Sequence, residues 1–159
     1  MEELDPFDFA ILRILQENNM TPQREIGEAV GLSAAAVQRR IKRMRQSGVI
    51  EADRSMVNRG KVGAMVTLIV EVFMDSEKIE FIDHTRTTFE IAPEVQQCYY
   101  VTGESDFVLV ILTESMQAYE KLTRRIFFSN PNIRHFRTIV AMDVIKAGMT
   151  IPEGFLKKK

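Results

Sequence analysis

Ser33–Arg45, SAAAVQRRIKRMR, carries five cations (Arg39, Arg40, Lys42, Arg43 and Arg45) and no acid. The whole chain of 159 residues is almost balanced, with 21 Lys and Arg against 22 Asp and Glu and a formal net charge of -1. A helix that is merely soluble usually interleaves both signs, so this imbalance needs a reason. Duplex DNA, with one negative charge per ~1.7 Å of axis, is a partner that fits it. At about 100° per residue, Val37, Ile41 and Met44 fall on one core-facing stripe. Ala35, Gln38, Arg39, Lys42 and Gln46 point the other way, and Arg40, Arg43 and Arg45 lie on the flanks. Short residues near the helix start with long cations further along suit a helix seated in a major groove. A solvated basic face would look similar, so the flanking residues must decide.

Upstream, Gln23–Val30 reads as a short helix with Ile26, Ala29 and Val30 inward. Thr21 stands at its N-cap position and Pro22 at the first helical residue, where a missing N–H does no harm. Gly31 supplies the tight turn, Leu32 the corner contact and Ser33 the cap of the basic helix. That order is a helix-turn-helix. Phe7, Ile11, Ile14 and Leu15 give an amphipathic first helix after Asp5-Pro6, and Gly48 ends the third helix. Val49–Arg54 is expected to form the first strand of a wing, although it alternates poorly.

LDPFDFAILRILQENN and EIGEAVGLSAAAVQRRIKRMRQSGVIE together resemble the N-terminal domain of the Lrp/AsnC (feast/famine) family of transcription regulators. The family's opening motif is met by Leu4, Asp5, Asp8, Ile11, Leu12 and Leu15. Its helix-turn-helix motif is met by Gly31, Leu32, Ser33, Val37, Arg40 and Ile41, followed by Gly48, Val49 and Ile50. Met20 departs from the pattern, because many relatives carry an arginine there; that puts one phosphate contact in doubt.

Length allows one domain or two small ones. Residues 1–60 hold nine cations and nine acids, so DNA affinity must come from a local patch and not from bulk charge. No apolar run approaches the ~20 residues that span a bilayer, and the acidic opening MEELD is unlike a signal peptide. The single cysteine, Cys98, allows no internal disulfide and suits a reducing cytoplasm.

Residues 58–63, with two glycines, read as a linker between a DNA-binding domain over 1–57 and a second domain over 64–148, leaving a C-terminal tail over 149–159. In the second domain, 64–74 is almost continuously apolar and reads as a strand buried on both faces. Ser76–Ile91 has helical spacing, with Ser76 as cap and Ile79, Ile82 and Phe89 inward. Val95–Thr102 and Phe107–Thr113 are strands joined by Gly103-Glu104-Ser105-Asp106. Ser115–Phe128 is a second helix with Tyr119, Leu122 and Ile126 inward, and Ile133–Lys146 is a long last strand. The order βαββαβ is the ferredoxin-like unit. The expected fold is therefore α+β: a winged helix-turn-helix followed by a ferredoxin-like domain.

PEVQQCYYVTGESDFVLVI is similar to the family's effector-domain motif through Val95, Cys98, Val101, Thr102, Gly103, Asp106 and Phe107, and TIVAMDVIKAG to its closing strand. The resemblance runs from Leu4 to about Gly148. It implies a regulator that forms homodimers, assembles them further, often into octamers, and binds small effectors, usually free amino acids, in clefts between dimers. The effector residues it implies are Tyr100, Thr102, Gly103 and Asp106, with Thr138 and Val140 on a facing wall; it implies no cofactor. Gly103 lets backbone N–H groups approach a carboxylate and Asp106 accepts from an ammonium, but a hairpin turn also favours Gly and Asp for backbone reasons alone.

For DNA, Ser33, Ala35, Gln38, Arg39 and Lys42 face the groove, while Arg40, Arg43 and Arg45 reach phosphates. The remaining conspicuous residues have plain readings. Cys98 lacks a nearby His or second Cys and reads as a buried thiol, and His84 and His135 are too far apart for a metal site. Tyr99 and Tyr100 point to opposite faces of a strand. Arg124-Arg125 reads as helix surface, Met44, Met116 and Met142 as core, and Lys157–Lys159 as a basic end that is either disordered or adds non-specific attraction to DNA. Two other readings share this architecture: a tetrapyrrole enzyme resembling siroheme decarboxylases, and a ligand-independent DNA organiser. The intact basic helix and the missing histidine cluster speak against the enzyme.

Overall fold

A computed structural model describes residues 3–63, 65–76 and 78–156. The chain divides into two compact units, Met1–Met56 with Ala147–Lys159, and Val57–Lys146.

The first unit is built on α1 (Pro6–Glu17), α2 (Gln23–Val30) and α3 (Ala34–Gln46). Asp5 caps α1 in a reciprocal box: its carboxylate accepts from the Asp8 N–H, and the Asp8 carboxylate accepts from the Asp5 N–H. Ile11, Ile26, Val37, Ile41 and Met44 form the core, so the stripe expected on α3 is buried. On α2 Ile26 is buried as expected, but its inward companion is Gly27, while Ala29 is exposed, contrary to the spacing argument. The reason is steric: a Cβ on Gly27 would lie 2.4 Å from the Leu32 carbonyl oxygen, whose chain must cross there to enter the turn. The Pro22 carbonyl accepts the first helical bond, so Pro22 takes the N-cap position instead of the first helical one, and Thr21 does not cap α2. Gly31 takes the left-handed conformation at φ 75°, and Ser33 caps α3 by accepting from the Ala36 N–H.

Two expectations for this unit are corrected. Among the described residues, 49–58 form no strand, so no wing is present. The Ile50 N–H bonds back to the Met44 carbonyl in a helix-ending turn, and Asp53 pairs with Arg45, which uses this segment to close α3. The residues expected to trail as a tail instead pack on α1. Gln16 grips Ile151 through both its carboxamide atoms, Arg13 donates to the Leu156 carbonyl, and Leu156 is buried. Lys157–Lys159 lie outside the described residues.

In the second unit the expected linker contains one helical turn, α4 (Arg59–Val62). Then follow β1 (Val66–Met74), α5 (Ile79–Ile91), β2 (Val95–Tyr100), β3 (Phe107–Thr113), α6 (Met116–Thr123) and β4 (Ile133–Val140). The sheet is antiparallel in the order β2-β3-β1-β4, the ferredoxin-like arrangement. Leu68, Val70 and Val72 of β1 and Phe107, Leu109 and Ile111 of β3 meet Ile82 and Phe89 of α5 and Tyr119 and Leu122 of α6.

The helices cover only that face. β1 is therefore not buried on both sides: Ile69 is 38% exposed, as is Ile139 of β4 beside it at 45%. Ala64, the first residue of the expected strand, lies outside the described residues. Ile79, expected inside, is 73% exposed, because α5 starts there and Ser76 bonds the Lys78 N–H without capping it. After α6 the helix widens into a π turn over Arg124–Phe128, which keeps Ile126 and Phe127 buried. β4 stops at Val140, six residues short of the expected end. Met116 and Met142 are exposed, not core, whereas Met44 is fully buried.

Candidate nucleic-acid interface and effector clefts

On α3, Ser33, Ala35, Gln38, Arg39, Lys42 and Gln46 are exposed, as the helical spacing required. Arg39 and Lys42 have no hydrogen-bond or ion-pair partner among the described residues. Ser33 uses its hydroxyl on its own helix, so it approaches a groove with only its small size.

The flanking arginines behave differently. The Arg40 guanidinium donates from Nη1 to Asp5 at 2.7 Å and to Asp8 at 2.8 Å, and lies 5.5 Å from the Phe7 ring centroid. Arg43 donates to the other Asp8 oxygen at 2.6 Å, and Arg45 to Asp53 at 2.9 Å. The Asp8 side chain is only 1% exposed. The bonds to Asp8 and then Asp5 hold Arg40 protonated even more firmly than an ordinary guanidinium. Burial pushes the Asp5 carboxyl up, but the Asp8 N–H and Arg40 outweigh it and leave it below the usual range. So the three arginines expected at phosphates are engaged by acids of their own unit. A sequence reader places helix faces from spacing, but Asp5 and Asp8 stand more than thirty residues from Arg40 and only packing brings them together.

In the second unit a cleft of about 420 Å³ opens between α5 and the edge strand β2. Arg86, Glu90, Phe89, Cys98, Tyr100 and Phe107 line it. Cys98 is half-buried; burial pushes its thiol up, Arg86 partly offsets this, and Glu90 adds to it. A second opening of about 540 Å³ is lined by Phe73, Glu104, Arg134, His135 and Arg137, with the His135 ring stacked on Phe73 at 4.1 Å.

Of the expected effector residues, Tyr100 alone lines either cleft. Thr102 and Gly103 are exposed on the hairpin, with Gly103 at φ 135°. Asp106 is committed to the fold: its carboxylate accepts from the Met74 N–H at 2.7 Å, and its own N–H donates to the Val72 carbonyl. Thr138 shares a 2.6 Å bond with the Tyr119 hydroxyl on the helix-covered face, and Val140 is half-exposed at the strand end. β2 and β4 are opposite edges of the sheet, three strand spacings or about 14 Å apart, so one copy does not gather these residues into one site. Sequence order concealed Arg86 and Glu90, which only the packing of α5 on β2 brings beside Tyr100.

Among the described residues no group of three or more His, Cys, Asp or Glu is placed to hold a metal, and no helix is long and apolar enough to cross a membrane.

Comparison with known proteins gives the arrangement a family. Residues 4–45 match the AsnC-type helix-turn-helix domain and residues 67–151 the Lrp/AsnC ligand binding domain. An HTH-type transcriptional regulator of Sinorhizobium fredii is 43% identical over 150 residues, covering 94% of this chain and 89% of that one. The crystal structure of an AsnC family regulator from Agrobacterium tumefaciens superposes with a TM-score of 0.86 at 30% identity, covering 96% and 99% of the two chains. A transcriptional regulator of Neisseria meningitidis, solved as a complex with L-Met, shares the fold at a TM-score of 0.85, 23% identity and coverage of 98% and 100%. The matching helix-turn-helix family and the description of the Sinorhizobium relative as a transcriptional regulator set aside the tetrapyrrole-enzyme reading. With a matching family domain in each half and a relative alike over nearly its whole length, the chain belongs to the Lrp/AsnC family of DNA-binding transcriptional regulators.

Proposed function

We propose that this regulator reads a specific duplex through α3 and that a free amino acid, bound by its second unit, alters its assembly and thereby its DNA affinity. The single observation behind the DNA half is the outward face of α3, where Gln38, Arg39 and Lys42 are exposed and the latter two cations are unpartnered among the described residues. Gln and Arg side chains recognise adenine and guanine edges in the major groove, while Ala35 allows close approach. Two copies related by a two-fold axis read half-sites ~34 Å apart, or a multiple of that.

The effector half rests on chemistry. In the α5/β2 cleft, Arg86 suits a carboxylate, Glu90 an ammonium, and Phe89, Cys98 and Phe107 an apolar side chain. The Neisseria protein's complex with L-Met supports an amino acid as the class. The open sheet face, with Ile69, Val110 and Ile139 adjacent in register, suits a second copy, since two such faces pack about 10 Å apart. The separation of Tyr100 from Thr138 and Val140 suits a ligand shared between copies.

Selection from random duplexes, with and without each amino acid, tests both halves. A recovered consensus bound equally well by the Arg39→Ala/Lys42→Ala variant would defeat the α3 assignment. Calorimetry against the twenty amino acids that yields no heat, with sedimentation unchanged, would defeat amino-acid sensing.

A further inference from the structure

We propose that Asp8 sets both the charge and the orientation that α3 presents to DNA, by holding Arg40 and Arg43 inside the first unit. This rests on the DNA-binding reading and adds a positioning residue to it.

Asp8 stands in the first turn of α1, and its two oxygens accept from three donors: the Asp5 N–H, Arg40 Nη1 and Arg43 Nη2. Arg40 and Arg43 are three residues apart, so they project from neighbouring positions on one flank of α3. A carboxylate that grips both resists rotation of the helix about its own axis. Rotation matters because Arg39 and Arg40 are adjacent in sequence and about 100° apart on the helix. Rolling α3 by that angle would exchange them. Asp8 reinforces the buried stripe of Val37, Ile41 and Met44 in fixing that roll, which turns Arg39 to the groove and retains Arg40.

The same contacts do electrostatic work. Asp5, Asp8, Arg40 and Arg43 together carry no net charge, and Arg45 is paired with Asp53. Of five cations on the segment, Arg39 and Lys42 remain for the polyanion. A phosphate that drew Arg40 or Arg43 away would leave the 1%-exposed Asp8 carboxylate short of its counter-charge, which a buried site strongly disfavours. Fewer free cations mean weaker attraction to every duplex alike, so a larger share of affinity depends on base sequence.

The test is the salt dependence of full-length protein binding to the selected duplex and to an unrelated duplex of equal length, between about 50 and 200 mM KCl. Asp8→Asn removes the one carboxylate that Arg40 and Arg43 share, leaving Arg40 with Asp5 and the cluster one positive charge in excess. The slope of log K against log salt is expected to steepen by about 1 per protomer, and equally on both duplexes. Arg39→Gln is expected to flatten the wild-type slope by about 1, and Arg40→Gln to leave it unchanged. An unchanged slope in folded Asp8→Asn would overturn the proposal. Should circular dichroism show that Asp8→Asn loses helix, the arginine pair decides: equal flattening by Arg39→Gln and Arg40→Gln overturns it, flattening by Arg39→Gln alone sustains it. A purely structural role for Asp8 would lower stability without steepening any slope. Failure of the unaltered chain to bind any duplex would overturn the DNA reading and this inference together, whereas normal binding with an unsteepened Asp8→Asn slope overturns this one alone.

Discussion

Helix α3 and the hairpin between β2 and β3 each carry a compact polar motif, but they use it in opposite ways. On α3 the stripe of Val37, Ile41 and Met44 anchors the helix, and Gln38, Arg39 and Lys42 stand outside with no structural duty. On the hairpin, Asp106 spends its carboxylate on the Met74 N–H and its backbone on Val101 and Val72, so it ties the turn to the end of β1. A polar side chain already satisfied within the fold is costly to re-employ, because whatever it held is left unpaired. The lesson is that a motif residue's availability depends on its partners more than on its exposure.

The comparison breaks most decisively if the outward face of α3 proves inert. Replacing both Arg39 and Lys42 with alanine is expected to cost about 2–6 kcal/mol of binding to the preferred duplex, at about 1–3 for each specific contact. Unfolding free energy should shift by no more than about 0.5 kcal/mol, since neither side chain packs. Duplex titration and urea denaturation of the same preparations check the two halves.

Gly27→Ala tests what orients that face. Alanine ordinarily stabilises a helix relative to glycine by about 1 kcal/mol. Here the added Cβ meets the Leu32 carbonyl oxygen at 2.4 Å, so we expect instead a loss of about 1–3 kcal/mol, read as a lower urea midpoint.

Asp106→Ala should behave as the mirror image of the α3 pair. Loss of the bond to the Met74 N–H is expected to cost about 1–3 kcal/mol of stability in the second unit. Amino-acid affinity lost with stability intact would show that the hairpin carboxylate serves a ligand after all. Tyr119→Phe removes a single hydroxyl bond to Thr138 and should cost about 1 kcal/mol by the same denaturation assay.

The smallest effect is one of pH. The Asp5 carboxyl titrates below its unfolded value of about 3.9. Its contribution is therefore fully present above that value and is lost as pH falls through the lower folded-state pKa. The side chain is 41% exposed, so solvent screening keeps the contribution small. Acid unfolding of Asp5→Asn compared with the unaltered chain should show a shallower pH dependence in that window, and an identical profile would remove Asp5 from the account.

Much of this molecule could be read before any coordinates. Helical periodicity located α3 and its buried stripe, turn glycines marked Gly31 and Gly48, and alternating apolar strands with intervening amphipathic helices gave the βαββαβ order. These are short-range properties, governed by side-chain spacing and backbone conformation within about a dozen residues. The wing and the extent of β4 depend on distant neighbours, a partner strand and a pairing edge, whereas the inward face of α2 follows from the close pass of the Leu32 carbonyl over Gly27, which helical spacing does not register.

What the sequence determined by itself is therefore the set of elements and the face each offers, since a residue's direction on a helix or strand follows from local geometry. Only the tertiary structure decided which charges remain available. Asp8 reaches Arg40 and Arg43 across more than thirty residues, the end of the chain fastens to Gln16 across 135, and sheet order separates Tyr100 from Thr138. Coulombic and hydrogen-bonding partners are set by distance in space, and burial forces each charge to find one.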